Sequence, residues 1–300
     1  MQKLCAGALP WLRALPERFQ QEFEGIAEGA GIPLQRLAEW DYIEECGAKQ
    51  CSGAMLRTGG RTWVARNNDF HSPELWGYVT IRDLEGRIPT LSFSLEGGVF
   101  TPTGINKQRL WLHYNYLPVW DKPAPGKPHL PPYVFLTEAL ERCESIRQVE
   151  AMLNEVDRTG GMLLFALDGK TDEFALFECR CSSYDRVQTT GGPIVATNHA
   201  CARGDFPFQS ADREPFGTLS RYEKMTRLVD AFSPAGPNQD VSAGLIRILA
   251  DDEIERRDDA MATVYANVAC PSSGEIWYTF GGHPAASRGN WRKIDWPWPE

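Results

Sequence analysis

The stretch 51-CSGAMLRTGGRTWVARNNDF-70 reads as a β-hairpin. Two apolar runs, CSGAML and RTWVARNNDF, flank Thr58-Gly59-Gly60, and a glycine pair supplies the positive backbone angles of a tight turn. Pairing of the two runs brings Arg66 and Asp69 onto the strand beside Cys51, within reach across the ladder. A cysteine at a strand start is, taken alone, commonly a small buried hydrophobe. An Arg and an Asp there can equally form a structural ion pair. Both are costly to bury at the end of an otherwise apolar strand (TWVA) unless they are paired or used.

Upstream, LPERFQQEFEGIAEGAG spaces Leu15, Phe19, Phe23 and Ile26 at four, four and three, which predicts an amphipathic helix stopped by Gly29 and Gly31. A second helix, 33-PLQRLAEWDYIEECG-47, opens on Pro33, sets Leu34, Leu37 and Trp40 on one face and ends at Gly47. Both end just short of Cys51. Downstream, WGYVTIRDLEG, RIPTLSFSLEGG and GINKQRLWLHYNYLP read as further strands of a first sheet. The proline-rich segment 121-DKPAPGKPHLPP-132 reads as a surface excursion, since Pro donates no backbone hydrogen bond. Then come a helix over 133–156, the strands GMLLFALDG, EFALFECRCSSY and PIVATNHA, helices near 220–231 and 242–249, and the strands ATVYANVACP and EIWYTFGG before a Trp-rich tail. Strands in two groups with helices between them suggest two helix-covered sheets.

A net charge of -9 argues against a nucleic-acid or anionic-membrane partner, since both need a basic face. The N-terminal apolar stretch is interrupted by Pro10 and Arg13, and no window approaches a membrane span, so a cytoplasmic protein is expected. Eight cysteines in 300 residues fall far below the density of a disulfide scaffold, so most are expected to be reduced.

A cysteine nucleophile needs a base. The chain offers His71, His113, His129, His199 and His283, none of them within a papain-type local signature. The other solution is the cysteine's own α-amine. Once the bond before Cys51 is cut, that amine has a reference pKa of about 7.7–8.0 and can take the thiol proton at neutral pH.

In its blocks and their order the chain resembles the cysteine-type N-terminal-nucleophile hydrolases. The similarity is nearest to the penicillin (isopenicillin-N) acyltransferase group, with bile salt hydrolases, penicillin V acylases and acid ceramidases as more distant relatives. FEGIAEGAGIP resembles the prodomain signature, and the hairpin matches a nucleophile block ending in R/Q-N-x-D. YVTIRDLEGRIPTLSFSLEGGVFTPTGINKQRLWLHYNYLP, VATNHA and LSRYEKM follow in family order, spanning roughly Phe23 to Pro284. The resemblance implies a four-layer αββα sandwich, an α+β fold of two stacked antiparallel sheets flanked by helices. It also implies a helical propeptide over 1–50 and a catalytic domain over 51–300.

Carried over residue by residue, the resemblance makes Cys51 the nucleophile and its freed amine the base. Asp69 would hold that amine, and Arg66 would lie beside the sulfur and favour its ionised form. Asn198, with Asn115 as the second candidate, would donate to the oxyanion, and Arg221 would brace the site. Asn198 and Asn115 also suit turns at strand ends, and Arg221 suits a helix-to-sheet tie. Gln50 stands where the self-cleaving acyltransferase has Gly, and Gly helps supply a cleavable backbone geometry.

The reaction implied is amide hydrolysis through a thioester acyl-enzyme. Transfer of the acyl group from a thioester or amide donor to an amine is the alternative, and a non-catalytic binding protein on the same fold the second. The partner is a small acyl amide or acyl thioester, with an amine acceptor for transfer; a homo-oligomer is left open. No cofactor is required. C-x-C at Cys179 and Cys181, with His199 and Cys201, has the elements of a zinc site, but strand alternation accounts for these cysteines as core residues. The segments 116–132 and 203-RGDFPFQSADREPFG-217 are expected to rim the pocket, and their Phe and Pro suggest an apolar or aromatic acyl group.

Overall fold

The structure, a computed structural model, describes residues 6–46, 50–187, 189, 191–202, 217–232, 240–258 and 261–299. Most of the expected rim segment, 203–216, lies outside the described residues. The chain divides into two compact units, Met1–Ala48 with Gly97–Phe100, and Lys49–Glu96 with Thr101–Glu300.

The first unit holds helices α1 (Ala8–Ala14), α2 (Glu17–Ala30) and α3 (Leu34–Cys46). Helix α1 lies where the sequence reading saw only an interrupted apolar stretch. Pro10 falls in its first turn, where a missing N–H leaves no intrahelical bond unmade. In α2 the buried stripe is Phe19, Phe23 and Ala27, spaced by four, and Ile26 is exposed rather than on that face. Gly31 (φ 64°) ends the helix, with its N–H on the Glu28 carbonyl and the Ile32 N–H on that of Ala27. The short piece Gly97–Phe100 completes the unit's core: the Phe100 ring meets Trp11, Phe19 and Phe23, and the Val99 N–H donates to Asp41 Oδ1.

The second unit opens on the expected hairpin, β1 (Gln50–Thr58) and β2 (Arg61–Phe70). Gly59 (φ 60°) and Gly60 (φ 77°) make its two-residue turn. The following strands are β3 (Trp76–Arg82), β4 (Thr90–Leu95), β5 (Thr103–Asn106), β6 (Leu110–Leu117), β7 (His129–Leu130), β8 (Asp157–Arg158), β9 (Gly161–Asp168), β10 (Glu173–Cys179), β11 (Tyr184–Val187), β12 (Ile194–Ala196), β13 (Arg257–Asp258), β14 (Met261–Cys270), β15 (Glu275–Phe280) and β16 (Asn290–Ile294).

Two large antiparallel sheets result, but not grouped as the linear order suggests. One runs β12-β1-β2-β14-β15-β16, with β13 on β14, and the other β11-β10-β9-β6-β5-β4-β3. The hairpin thus joins the C-terminal strands, while 76–117 pairs with the middle of the chain. The chain changes sheets after Phe70, through Ser72 (φ 54°) and a short 3-10 turn at Pro73–Leu75. Strands β9 and β14 are buried almost throughout, so no alternation marks which sheet they enter.

Gly53 of β1 faces the second sheet so closely that a Cβ there would lie 2.8 Å from His113 Nε2 and 3.1 Å from the Phe165 ring. Ala54, Leu56, Trp63, Ala65, Ala266 and Val268 point the other way and pack with Met225 and Val229, Leu245 and Ile248. Those four belong to two helices, Thr218–Asp230 and Val241–Leu249. Burying each such aliphatic side chain is worth about 1.5–3 kcal/mol. The second sheet's outer face carries the helix Pro132–Arg142, with Leu140 over Gly104 and Asn106 Nδ2 donating to the Leu140 and Cys143 carbonyls. The αββα layering follows.

The helix expected over 133–156 is two, Pro132–Arg142 and Ile146–Glu155, because Ser145 caps the second by accepting from the Gln148 N–H. The proline-rich excursion is anchored by a parallel β7–β8 pair and a 2.8 Å Lys127–Asp157 ion pair. The tail covers an edge: β16 pairs with β15, and Trp296 packs against Trp298 and under Arg109. Among the described residues no helix is long and apolar enough to cross a membrane.

Candidate active site

Register sets the site. Cys51 pairs with Asn68 and Gly53 with Arg66, so residues 51, 53, 66 and 68 share the face turned to the second sheet. The buried Cys51 thiol lies 3.7 Å from Arg66 Nη2 and 3.7 Å from Asn68 Oδ1. The facing sheet pins the guanidinium. Nη1 donates to the Pro102 carbonyl and Thr103 Oγ1, and Nη2 to the Tyr114 carbonyl (2.8 Å) and Asn68 Oδ1 (2.7 Å). These bonds offset the desolvation of a buried cation and hold it at the sulfur.

Asp69 differs from Arg66 by an odd number of positions, so it points to the opposite face, in register with Gln50. There its Oδ1 accepts from Thr263 Oγ1 at 2.7 Å, and its Oδ2 lies 3.6 Å from Arg221 Nη1. Arg221, in the first turn and a half of the helix that begins at Thr218, links this acid to the cysteine. Its Nη1 donates to the Cys51 carbonyl (2.8 Å) and its Nη2 to Asn198 Oδ1 (2.9 Å). Asn198 Oδ1 also accepts from the Cys51 N–H at 3.0 Å, while Nδ2 donates to the Tyr116 carbonyl at 2.8 Å. Two donors on one oxygen fix the orientation of that amide. Both backbone groups of Cys51 are therefore held.

Asn115 lies on β6 of the facing sheet and ties it to β12, its Nδ2 donating to the Ala196 carbonyl at 3.0 Å. The structure thus gathers Cys51, Arg66, Asn198 and Arg221 by direct contact, with Asp69 joined through Arg221. The sequence reading missed Asn68, Thr218, whose Oγ1 accepts from the Asn198 N–H, and Thr263. Asn68 was legible: two positions from Arg66 on a strand, it must share that side chain's face. The two threonines carry no such signal.

The remaining thiols and histidines contrast with this arrangement. Burial pushes Cys143 and Cys179 up to about 12, and burial with a nearby acid pushes Cys181 up to about 11. The residues weighed for zinc have separate partners: Cys179 Sγ the Phe177 carbonyl, Cys181 Sγ the Asp121 carbonyl, and His199 Nδ1 Thr218 Oγ1. Burial, with Arg221 nearby, lowers His199 to about 4. His113 is held well below its ordinary value by burial and Arg66, accepts from Trp111 Nε1 at 3.0 Å, and stacks on Phe165.

Burial raises the Asp69 carboxyl to about 6, with Arg221 and Thr263 pulling against it. A raised acid holds its proton more tightly in the folded state. Its contribution to stability is present below the ordinary carboxylate range and lost as pH rises through 6. Asp69→Asn should therefore gain on the unmodified protein by up to about 3 kcal/mol between about pH 4 and about pH 7. Urea unfolding at both ends of that window measures it; a stability difference independent of pH would show that folding leaves this acid undisplaced.

Two facing antiparallel sheets with helices outside constitute the fold of the N-terminal-nucleophile hydrolases, and Cys51 is the second residue of β1, one strand in from the β12 edge. Among solved structures the chain is similar to a conjugated bile acid hydrolase from Clostridium perfringens, at 14% identity and TM-score 0.58, over 82% of this chain and 97% of that one. It is similar to a penicillin V acylase from Agrobacterium tumefaciens, at 13% identity and TM-score 0.57, over 82% and 86%. A Caenorhabditis elegans N-acylethanolamine-hydrolyzing acid amidase ortholog matches at 13% and 0.52, over 74% and 93%. No family model matches, and no curated protein matches by sequence.

Proposed function

We propose that the protein hydrolyses a linear carbon–nitrogen amide of a small acyl compound, with Cys51 as nucleophile. The observation that carries this is the setting of Cys51: its sulfur beside a pinned guanidinium, and its N–H and carbonyl each held by a buried side chain. The proteins of similar fold named above, a conjugated bile acid hydrolase, a penicillin V acylase and an acid amidase, support a hydrolase of this class.

In this reading, cleavage of Gln50–Cys51 releases residues 1–50 as a propeptide and turns the Cys51 nitrogen into a base. Asn198 Oδ1, already 3.0 Å from that nitrogen, orients the amine. Asp69 offsets the charge of Arg221, which in turn holds the Cys51 carbonyl. The amine takes the thiol proton; sulfur attacks the carbonyl; the proton passes to the departing amine, and water then hydrolyses the thioester. Arg66 stabilises negative charge on sulfur, and the second Nδ2 hydrogens of Asn198 and Asn115 serve the oxyanion.

The test is intact-mass analysis of an active preparation, with N-terminal sequencing. A mature chain beginning at Cys51 is expected. An active sample that stays a lone 33.7 kDa species would rule out the α-amine mechanism.

Transfer of the acyl group to an amine uses the same residues and differs only in what meets the thioester. A labelled acyl donor offered with and without candidate amines separates the two by the identity of the product.

A further inference from the structure

We propose that Asn68 is a catalytic residue whose Nδ2 group donates to the oxygen of the carbonyl attacked by Cys51, an inference that rests on Cys51 being the nucleophile. Asn68 stands directly opposite Cys51 in the β1–β2 register, on the face of the thiol. Its Oδ1 accepts from Arg66 Nη2 at 2.7 Å and lies 3.7 Å from Cys51 Sγ. A guanidinium only donates, so Arg66 decides which end of the amide turns inward. The Nδ2 end points away from Arg66 and makes no hydrogen bond among the described residues. Asn68 also keeps 5% of its surface open, where Arg66 keeps 1% and Asn115 none.

The neighbouring amides are differently committed. Asn198 Nδ2 already donates to the Tyr116 carbonyl and Asn115 Nδ2 to that of Ala196. Asn68 therefore supplies the one wholly uncommitted NH2 group among the three. As the carbon–sulfur bond forms, the carbonyl π pair moves onto oxygen and the thiol proton goes to the Cys51 amine. Asn68 donates to that oxygen, and the carbonyl re-forms when the amine leaves with the proton. The bond strengthens as charge develops, so it lowers the barrier rather than merely binding substrate.

Two variants with two reagents test this. Asn68→Leu removes both ends of the amide without adding charge. Asn68→Asp keeps an acceptor for Arg66, loses the donor and adds a carboxylate charge, which comparison at each variant's own pH plateau separates from the lost donor. Acylation is followed with 4-nitrophenyl esters from acetyl to decanoyl, and thiol reactivity by alkylation of Cys51 with iodoacetamide at each variant's pH plateau. Alkylation displaces iodide at a saturated carbon and generates no oxyanion. Acylation should fall about 100-fold in kcat/KM in both variants, while alkylation stays within about threefold of the unmodified protein. Acylation that holds within about threefold overturns the proposal, and so does an equal loss in both reactions, which would mark Asn68 as a positioning residue for sulfur. An unmodified protein that forms no acyl-enzyme would fail earlier, removing the nucleophile reading and this proposal with it.

Discussion

Cys51→Ala is expected to lower turnover by at least about four orders of magnitude while leaving the fold and substrate binding in place. The thiol is buried and touches Arg66 and Asn68, both of which have other partners, so its loss leaves no orphaned charge. The stability cost should stay near about 1 kcal/mol, the scale of one small deleted group. Because the same sulfur would attack the Gln50 carbonyl during processing, the variant should also stay uncleaved at close to 33.7 kDa. Turnover, thermal unfolding and intact mass on one preparation check all three. A variant that keeps full activity would remove Cys51 as the nucleophile.

Arg221→Ala is expected to cost about 3–5 kcal/mol of stability, the range for removing one partner of a buried ion pair. Three groups each lose a partner together: the Cys51 carbonyl, Asn198 Oδ1, which keeps the Cys51 N–H, and the Asp69 carboxylate, which keeps Thr263. Arg221→Lys should recover only part of this, because an ammonium is a point donor where the guanidinium is a rigid fork. Adding Asp69→Asn to Arg221→Ala removes the stranded acid, so the double variant should be about 1–3 kcal/mol more stable than the sum of the two single effects. Equilibrium unfolding in urea gives the four corners of that cycle. A loss below about 1 kcal/mol for Arg221→Ala would mean the helix carries a dispensable tie, and its bracing role would go.

The hairpin was legible because its signals are local. The Gly59-Gly60 turn fixes the register, and register fixes that Arg66 shares the Cys51 face. The same arithmetic places Asp69 on the other face, which a reading based on proximity along the strand overlooks. The break at Cys143–Ser145 was legible in principle too, since Ser145 with Gln148 three residues later is a helix-start pattern. Which strands make up each sheet was not. Strands 76–117 follow the hairpin in sequence yet lie in the opposite sheet.

Taken alone, the chain's order of residues determined the two-residue turn, the cysteine at the hairpin's mouth, and the cation on its face. Each depends on interactions within twenty residues, where backbone sterics and strand alternation leave few choices. Only the tertiary structure decided that Asn198 and Arg221 would close on the cysteine's own backbone from 147 and 170 positions away. Those contacts follow from how two buried sheets and a covering helix pack, and burial on both faces erases the alternation from which a sequence could have announced them.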